Sequence, residues 1–161
     1  MEKSTYLTFE LGKELFAVDV ANVLEVLEQQ QITRVPKAPE HILGIINFRG
    51  EILPTINTRQ KFNLPSDDVN SKNYIIVYDL VKNETHYIVS ATADGVNDVI
   101  EVDLSEIKPV PEMGLNFDSR YISGVIRRAE KFILLLHPDK VFSSSDLEIT
   151  QQTDNVNPQI N

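Results

Sequence analysis

Sliding the chain along itself by 80 residues superposes two stretches without a gap. Ile42, Gly44, Ile45 and Ile46 fall on Ile122, Gly124, Val125 and Ile126. Ile52, Leu53 and Ile56 fall on Phe132, Ile133 and Leu136, and Phe62 falls on Phe142. Upstream the match needs small shifts, yet Val23-Leu24-Glu25-Val26 echoes Val99-Ile100-Glu101-Val102. Self-similarity of this kind restricts the fold, because each half must be a copy of one small unit. Each half reads as about five short strands, and small sheets avoid exposed edges best by closing on themselves. The expected architecture is all-β, with two small five-stranded barrels side by side.

The strand reading rests on apolar runs bounded by turn residues. Tyr6 to Leu11 alternates apolar and polar residues, and Gly12-Lys13 turns the chain into Leu15 to Val18. Asp19 to Asn22 is a turn or a single helical turn. Val23 to Glu28 fits strand or helix, since periodicity is ambiguous over so few residues. Pro36 and Pro39 bracket an extended connector. Ile42 to Ile46 and Glu51 to Ile56 form a hairpin, followed by a helical turn near Arg59 to Phe62. Ser66 to Asn73 is polar and serves as an internal linker. Tyr74 to Tyr78 and Tyr87 to Ala91 are strands around an Asn83-Glu84 turn. Asp94 to Asp98 reads as a turn, with Val99 to Val102 extended after it. Ile122 to Ile126 and Phe132 to Leu136 form the last hairpin, and a short helix starts near Asp139. From Ser143 onward polar residues prevail, as in a disordered tail.

Composition removes whole classes of function. The net charge is −9 and the pI near 4.8, which disfavours a phosphate backbone. Arg127-Arg128 is the only adjacent basic pair, so nucleic acid is not an expected partner. There is no cysteine, hence no disulfide and no thiolate metal site. The three histidines have no metal-type spacing. No apolar run is long enough for a helical membrane span, so direct insertion is not expected. No nucleophile elbow or phosphate-binding loop occurs, and Asp94/Asp98 and Glu112/Asp118 read as turn and loop residues rather than a carboxylate dyad. No catalytic residue, metal or cofactor is expected. With few aromatics and no Trp, the core should be aliphatic.

What does not recur at 80 residues' distance is the hairpin tip. Asn47-Phe48-Arg49-Gly50 becomes Arg127-Arg128-Ala129-Glu130, and Pro54 becomes Leu134. The recurring apolar residues read as barrel core. A tight turn needs Gly or Asn for its backbone but has no use for a guanidinium, so Arg49 is placed to meet a partner, where its planar fork suits a carboxylate. Glu25, set among apolar neighbours, is a second charged candidate; a solvated edge glutamate would look the same.

These residues carry a resemblance. Thr33-Arg34-Val35-Pro36, Ile42-x-Gly44-x-x-Asn47-Phe48-Arg49-Gly50, Ile52-x-Pro54-x-Ile56-Asn57-x-Arg59, Asp94-Gly95-Val96-x-Asp98-Val99 and Ile107-x-Pro109 together resemble the CheW family of bacterial chemotaxis coupling proteins. The likeness runs from about Tyr6 to Phe142. It implies two SH3-like barrels and no catalysis. It also implies a scaffold bridging the cytoplasmic tips of chemoreceptors to the regulatory domain of the histidine kinase CheA. Such a protein is monomeric alone and cytoplasmic, held at the inner membrane through receptor arrays. The partner-binding residues it points to, with those read from the tip, are Val23, Glu25, Gly44, Asn47, Phe48, Arg49, Gly50, Arg59 and Val99. Two departures stand out: Asn57-Thr58-Arg59 replaces the family's Asp-Leu-Arg, and Phe48 replaces a leucine. The expected organisation is one unit over residues 1–145, with 1–65 and 72–145 as the pseudo-repeated barrels and their first strands open to exchange. A flexible tail follows over 146–161. Alternatives are the coupling domain of a CheV-type protein cut before its receiver domain, or an SH3-like adaptor outside chemotaxis.

Overall fold

The computed structural model of the protein describes residues 2–28, 30–64, 74–110 and 119–142. The expected linker at 66–73, the tail, and Glu112 and Asp118 lie outside these residues. Ten strands dominate: β1 (Lys3–Leu11), β2 (Glu14–Asp19), β3 (Val23–Glu28), β4 (Ile42–Phe48), β5 (Glu51–Ile56), β6 (Tyr74–Lys82), β7 (Thr85–Ala93), β8 (Gly95–Asp103), β9 (Ile122–Arg128) and β10 (Lys131–Leu136). Two single-turn helices, α1 (Thr58–Lys61) and α2 (Pro138–Val141), follow β5 and β10. The strands make two five-stranded sheets, ordered β8-β1-β2-β10-β9 and β3-β6-β7-β5-β4.

The two orders are the same pattern. Advancing each strand of the second sheet by five positions, with β6 and β7 returning to β1 and β2, reproduces the first. The opening hairpin of each half therefore sits in the sheet of the other half. This exchange creates the only parallel contacts among the described strands, Thr55 beside Ser90 in β5–β7 and Leu134 beside Phe16 in β10–β2. Both sheets curl until their ends meet. Thr33, beyond β3, bridges Ile45 of β4, and Lys108, beyond β8, bridges Val125 of β9.

Val23–Glu28 is strand, because its residues pair with β6 and not with a helix face. The expected turn over Asp94 to Asp98 is wrong beyond Asp94: β8 begins at Gly95. The register between β1 and β8 slips between Leu7 and Phe9, and the buried Thr8 hydroxyl bridges the slip. It donates to the Asp98 carbonyl at 3.0 Å and accepts from the Asp98 N–H at 2.9 Å. A side chain supplies the bonds missing from the ladder at the slip.

The core also differs from an all-aliphatic one. Each barrel interior is mostly aliphatic, with Ile126, Ile133 and Leu135 in one and Ile46, Leu53 and Val77 in the other. Between the sheets lies a shared core threaded by aromatic rings: Phe9 to Phe16, Phe16 to Phe62 and Phe62 to Tyr121, with centroids 5.9, 5.5 and 5.3 Å apart. Phe62 and Phe142, the repeat-related pair, are both fully buried there. A second correction concerns the repeat itself. Ile52 and Phe132 are not core; they are 49% and 63% exposed.

Candidate functional site

The β4–β5 hairpin closes with the two-residue turn Arg49-Gly50, both at positive φ (53° and 84°). Positive φ at both central residues matches the right-handed twist of the flanking strands, the reason such turns favour glycine. The Asn47 side chain accepts the Gly50 N–H at 3.0 Å and locks the turn. The Arg49 guanidinium lies over the Phe48 ring, 4.8 Å from its centroid, and donates to Glu25 Oε1 at 2.6 Å. Glu25 reaches it because the β3–β6 register shifts between Val23 and Glu25, leaving Leu24 out of step and exposed. The Arg49 and Glu25 side chains are 64% and 36% exposed, so the pair stays within reach of a partner.

The structure thus brings together Glu25, Asn47, Phe48, Arg49 and Gly50, and separates the other four candidates. Phe48 is buried inside its barrel and offers only its ring face to Arg49. Val23 packs partly buried against the shared core. Val99 is highly exposed, on β8 of the other sheet. Gly44 is buried at the barrel seam, where an added Cβ would lie 2.3 Å from the Thr33 carbonyl oxygen and 2.8 Å from Ile32 Cγ2. Its value is the close approach of two backbones, so a Gly44→Asp change cannot leave the fold intact. Gly124 repeats this arrangement against Ile107 and Lys108.

Arg59 has a different task. Its Nε and Nη2 donate to Asp94 Oδ1 and Oδ2 at 3.0 and 2.6 Å, with both side chains under one-fifth exposed. Asp94 Oδ2 also accepts the Gly12 N–H, so one carboxylate ties α1 to the β1–β2 turn and the β7–β8 junction. Asp94 was legible only as a turn residue. Asn57, where the family has aspartate, caps α1 through the Gln60 N–H, and Arg59 takes its carboxylate from Asp94 instead. In the second barrel Arg128 binds Glu106 through two bonds and also meets the Glu101 carbonyl. The Asp103 N–H and then Arg128 hold the Glu106 carboxyl below its ordinary value. Among the described residues no group of His, Cys, Asp and Glu could hold a metal ion, and no helix is long and apolar enough to cross a membrane.

Paired five-stranded barrels joined by strand exchange, with a charged pair clipped onto a rigid hairpin tip, place the protein in the all-β, SH3-like double-barrel class. Residues 5–146 match the family described as CheW-like domain, and the chain belongs to that family. It is 30% identical over 144 residues to the chemotaxis protein CheW of Klebsiella aerogenes, covering 89% of this chain and 84% of that one. It is 33% identical over 131 residues to CheW of Bacillus subtilis, covering 81% and 80%. The crystal structure of the scaffolding protein TtCheW from Thermoanaerobacter tengcongensis superposes with a TM-score of 0.76 at 27% identity, over 91% of this chain and 92% of that one.

Proposed function

We propose that this chain is a non-catalytic scaffold that couples chemoreceptors to the histidine kinase CheA, and that it engages its partners through the outer face of the β3–β4–β5 barrel. The observation carrying the site is the Arg49–Glu25 pair, held out from a locked turn and flanked by exposed apolar Leu24 and Ile52. A charged centre beside apolar groups already in water is suited to desolvated docking, because a partner carboxylate can share the guanidinium while its apolar neighbours cover Leu24 and Ile52. Asn47 and Gly50 fix the tip, Phe48 backs the guanidinium, Val23 seats β3 and Gly44 allows the barrel to close. Val99 offers a second contact on the other barrel. Arg59 contributes indirectly by holding the two barrels to each other. In the cell the protein then works in the cytoplasm, gathered at the inner membrane by receptor arrays.

The test is reconstitution. Receptor cytoplasmic fragments and CheA are mixed with and without the protein, and autophosphorylation is followed. Receptor-dependent stimulation that requires the protein supports the reading. Retention of neither partner, with no stimulation, rejects it.

A further inference from the structure

Beyond β3 the barrel seam opens. Thr33 exchanges both main-chain bonds with Ile45, at 2.9 and 2.8 Å, in an isolated antiparallel bridge. Continuing that ladder would set Gln31 against Asn47, but the two do not pair. Ladder bonds alternate sides along a strand, so the Asn47 N–H and C=O face the same open edge as those of Ile45. Among the described residues no main chain meets them. The gap holds a cavity of about 310 Å³ lined by Gln30, Gln31, Thr33, Ile45, Asn47 and Ile52. Among the described residues no charged side chain lines it, in a chain of which 24% is charged. The other barrel has the same isolated bridge, Lys108 to Val125, and there Arg128 runs from β9 to the Glu101 carbonyl and Glu106. An arginine crosses each seam, Arg128 there and Arg49 to Glu25 here, and in the first barrel the main-chain groups of Asn47 beside that bridge stay unpaired.

We propose that this cavity is a binding site for an extended, uncharged segment of another polypeptide, which pairs with the free main-chain groups of Asn47 at the end of β4. The unpaired N–H and C=O of Asn47 suit a strand as the ligand, since a peptide main chain offers the complementary acceptor and donor at ladder spacing. The amides of Gln30 and Gln31 can each donate and accept toward the segment's far side. Ile45 and Ile52 form an apolar wall for one side chain. The uncharged lining selects against Lys, Arg, Asp and Glu, whose charge would be desolvated without a partner. The volume sits at the small end of ligand cavities, enough for a short stretch of strand. Asn47 also locks the Arg49 turn, so the site adjoins the hairpin tip.

The test needs neither receptor nor kinase, so its failure would leave the coupling reading untouched. A displayed library of random heptapeptides is panned on the full-length protein, and enriched sequences are synthesised. Expected are uncharged, β-forming peptides that slow hydrogen exchange at the Asn47 amide at least tenfold and bind at least tenfold more weakly to Ile52→Glu. Ile52 is half exposed, so that variant folds. N-methylation of the central peptide residue should cost as much. The proposal is overturned if no peptide is enriched, if enriched peptides are charged or helical, or if they leave Asn47 exchange and Ile52→Glu binding unchanged. Concentration-dependent protection of Asn47 without peptide would also overturn it, in favour of a second copy as occupant.

Discussion

Arg49 donates to Glu25 at 2.6 Å across 24 positions of sequence, joining the turn of one hairpin to a strand of its own barrel. Exposed ion pairs of this kind contribute less than about 1 kcal/mol to stability. Arg49→Ala and Glu25→Ala should therefore each shift a urea-denaturation free energy by under about 1 kcal/mol. Binding to CheA or receptor should fall severalfold with Arg49→Ala. A large stability loss with unchanged binding would show the pair to be structural.

Gly44 and Gly124 occupy equivalent seams but face different neighbours. At Gly44 a new methyl meets the Thr33 backbone oxygen at 2.3 Å, which can move only by opening the Thr33–Ile45 bridge. At Gly124 the nearest atom is the Ile107 side-chain methyl at 2.6 Å, with the Lys108 oxygen at 3.2 Å. Gly44→Ala should cost about 3 kcal/mol or more and Gly124→Ala nearer about 1, following the cost of overpacking. Thermal melts of the two variants check the order.

Arg59→Ala leaves Asp94 poorly solvated and without its guanidinium. Removing one member of a buried pair costs about 3 kcal/mol, discounted here for the remaining exposure. The Arg59→Ala/Asp94→Ala double variant should lose less than the sum of the single changes, because each single change already breaks the pair. Chemical denaturation of the set measures the coupling. Arg59→Lys should not restore the wild-type value, since an ammonium cannot make the two parallel bonds.

Two carboxylates of the second barrel contribute to the acid response. The Ser105 N–H lowers Asp103 first, and the Asp103 N–H followed by Arg128 lowers Glu106, from ordinary values of 3.8 and 4.5. Groups depressed in the folded state add stability that is complete above the unfolded pKa and lost as pH falls through the folded one. Stability should decline on acidification below about 4.5, beginning with Glu106. Glu106→Gln should flatten that part of the profile while leaving the slope above pH 6 unchanged. An unaltered acid limb would contradict the assignment.

How much of this was visible in the chain depends on the kind of signal. The 80-residue repeat carried the duplicated barrel because barrel interiors are built from recurring apolar residues such as Ile46/Ile126 and Leu53/Ile133. The same signal misled at Ile52/Phe132, since recurrence records an equivalent position and not burial. The polar run after Asp94 hid a strand, because its missing ladder bonds come from Thr8, some ninety residues away. Asp94 looked like a turn former for the same reason: its partner Arg59 is 35 positions off. Glu25 and Arg49 were each legible as unusual, but their pairing depends on a register slip at Leu24 that no local pattern encodes. The cavity beside Asn47 left no mark in the sequence, being a bond the main chain fails to make.

The central claim, that the clipped hairpin tip is the docking surface, is tested most directly by reversing its charges. Affinity for the CheA regulatory domain and for a receptor cytoplasmic fragment is measured for wild type, Arg49→Glu and the swapped Glu25→Arg/Arg49→Glu protein, each confirmed folded by its melt. Arg49→Glu should lose at least tenfold in affinity for one partner, and the swap should keep the fold without regaining the affinity, because the partner's carboxylate needs the cation at position 49. Wild-type affinity of Arg49→Glu for both partners would contradict it.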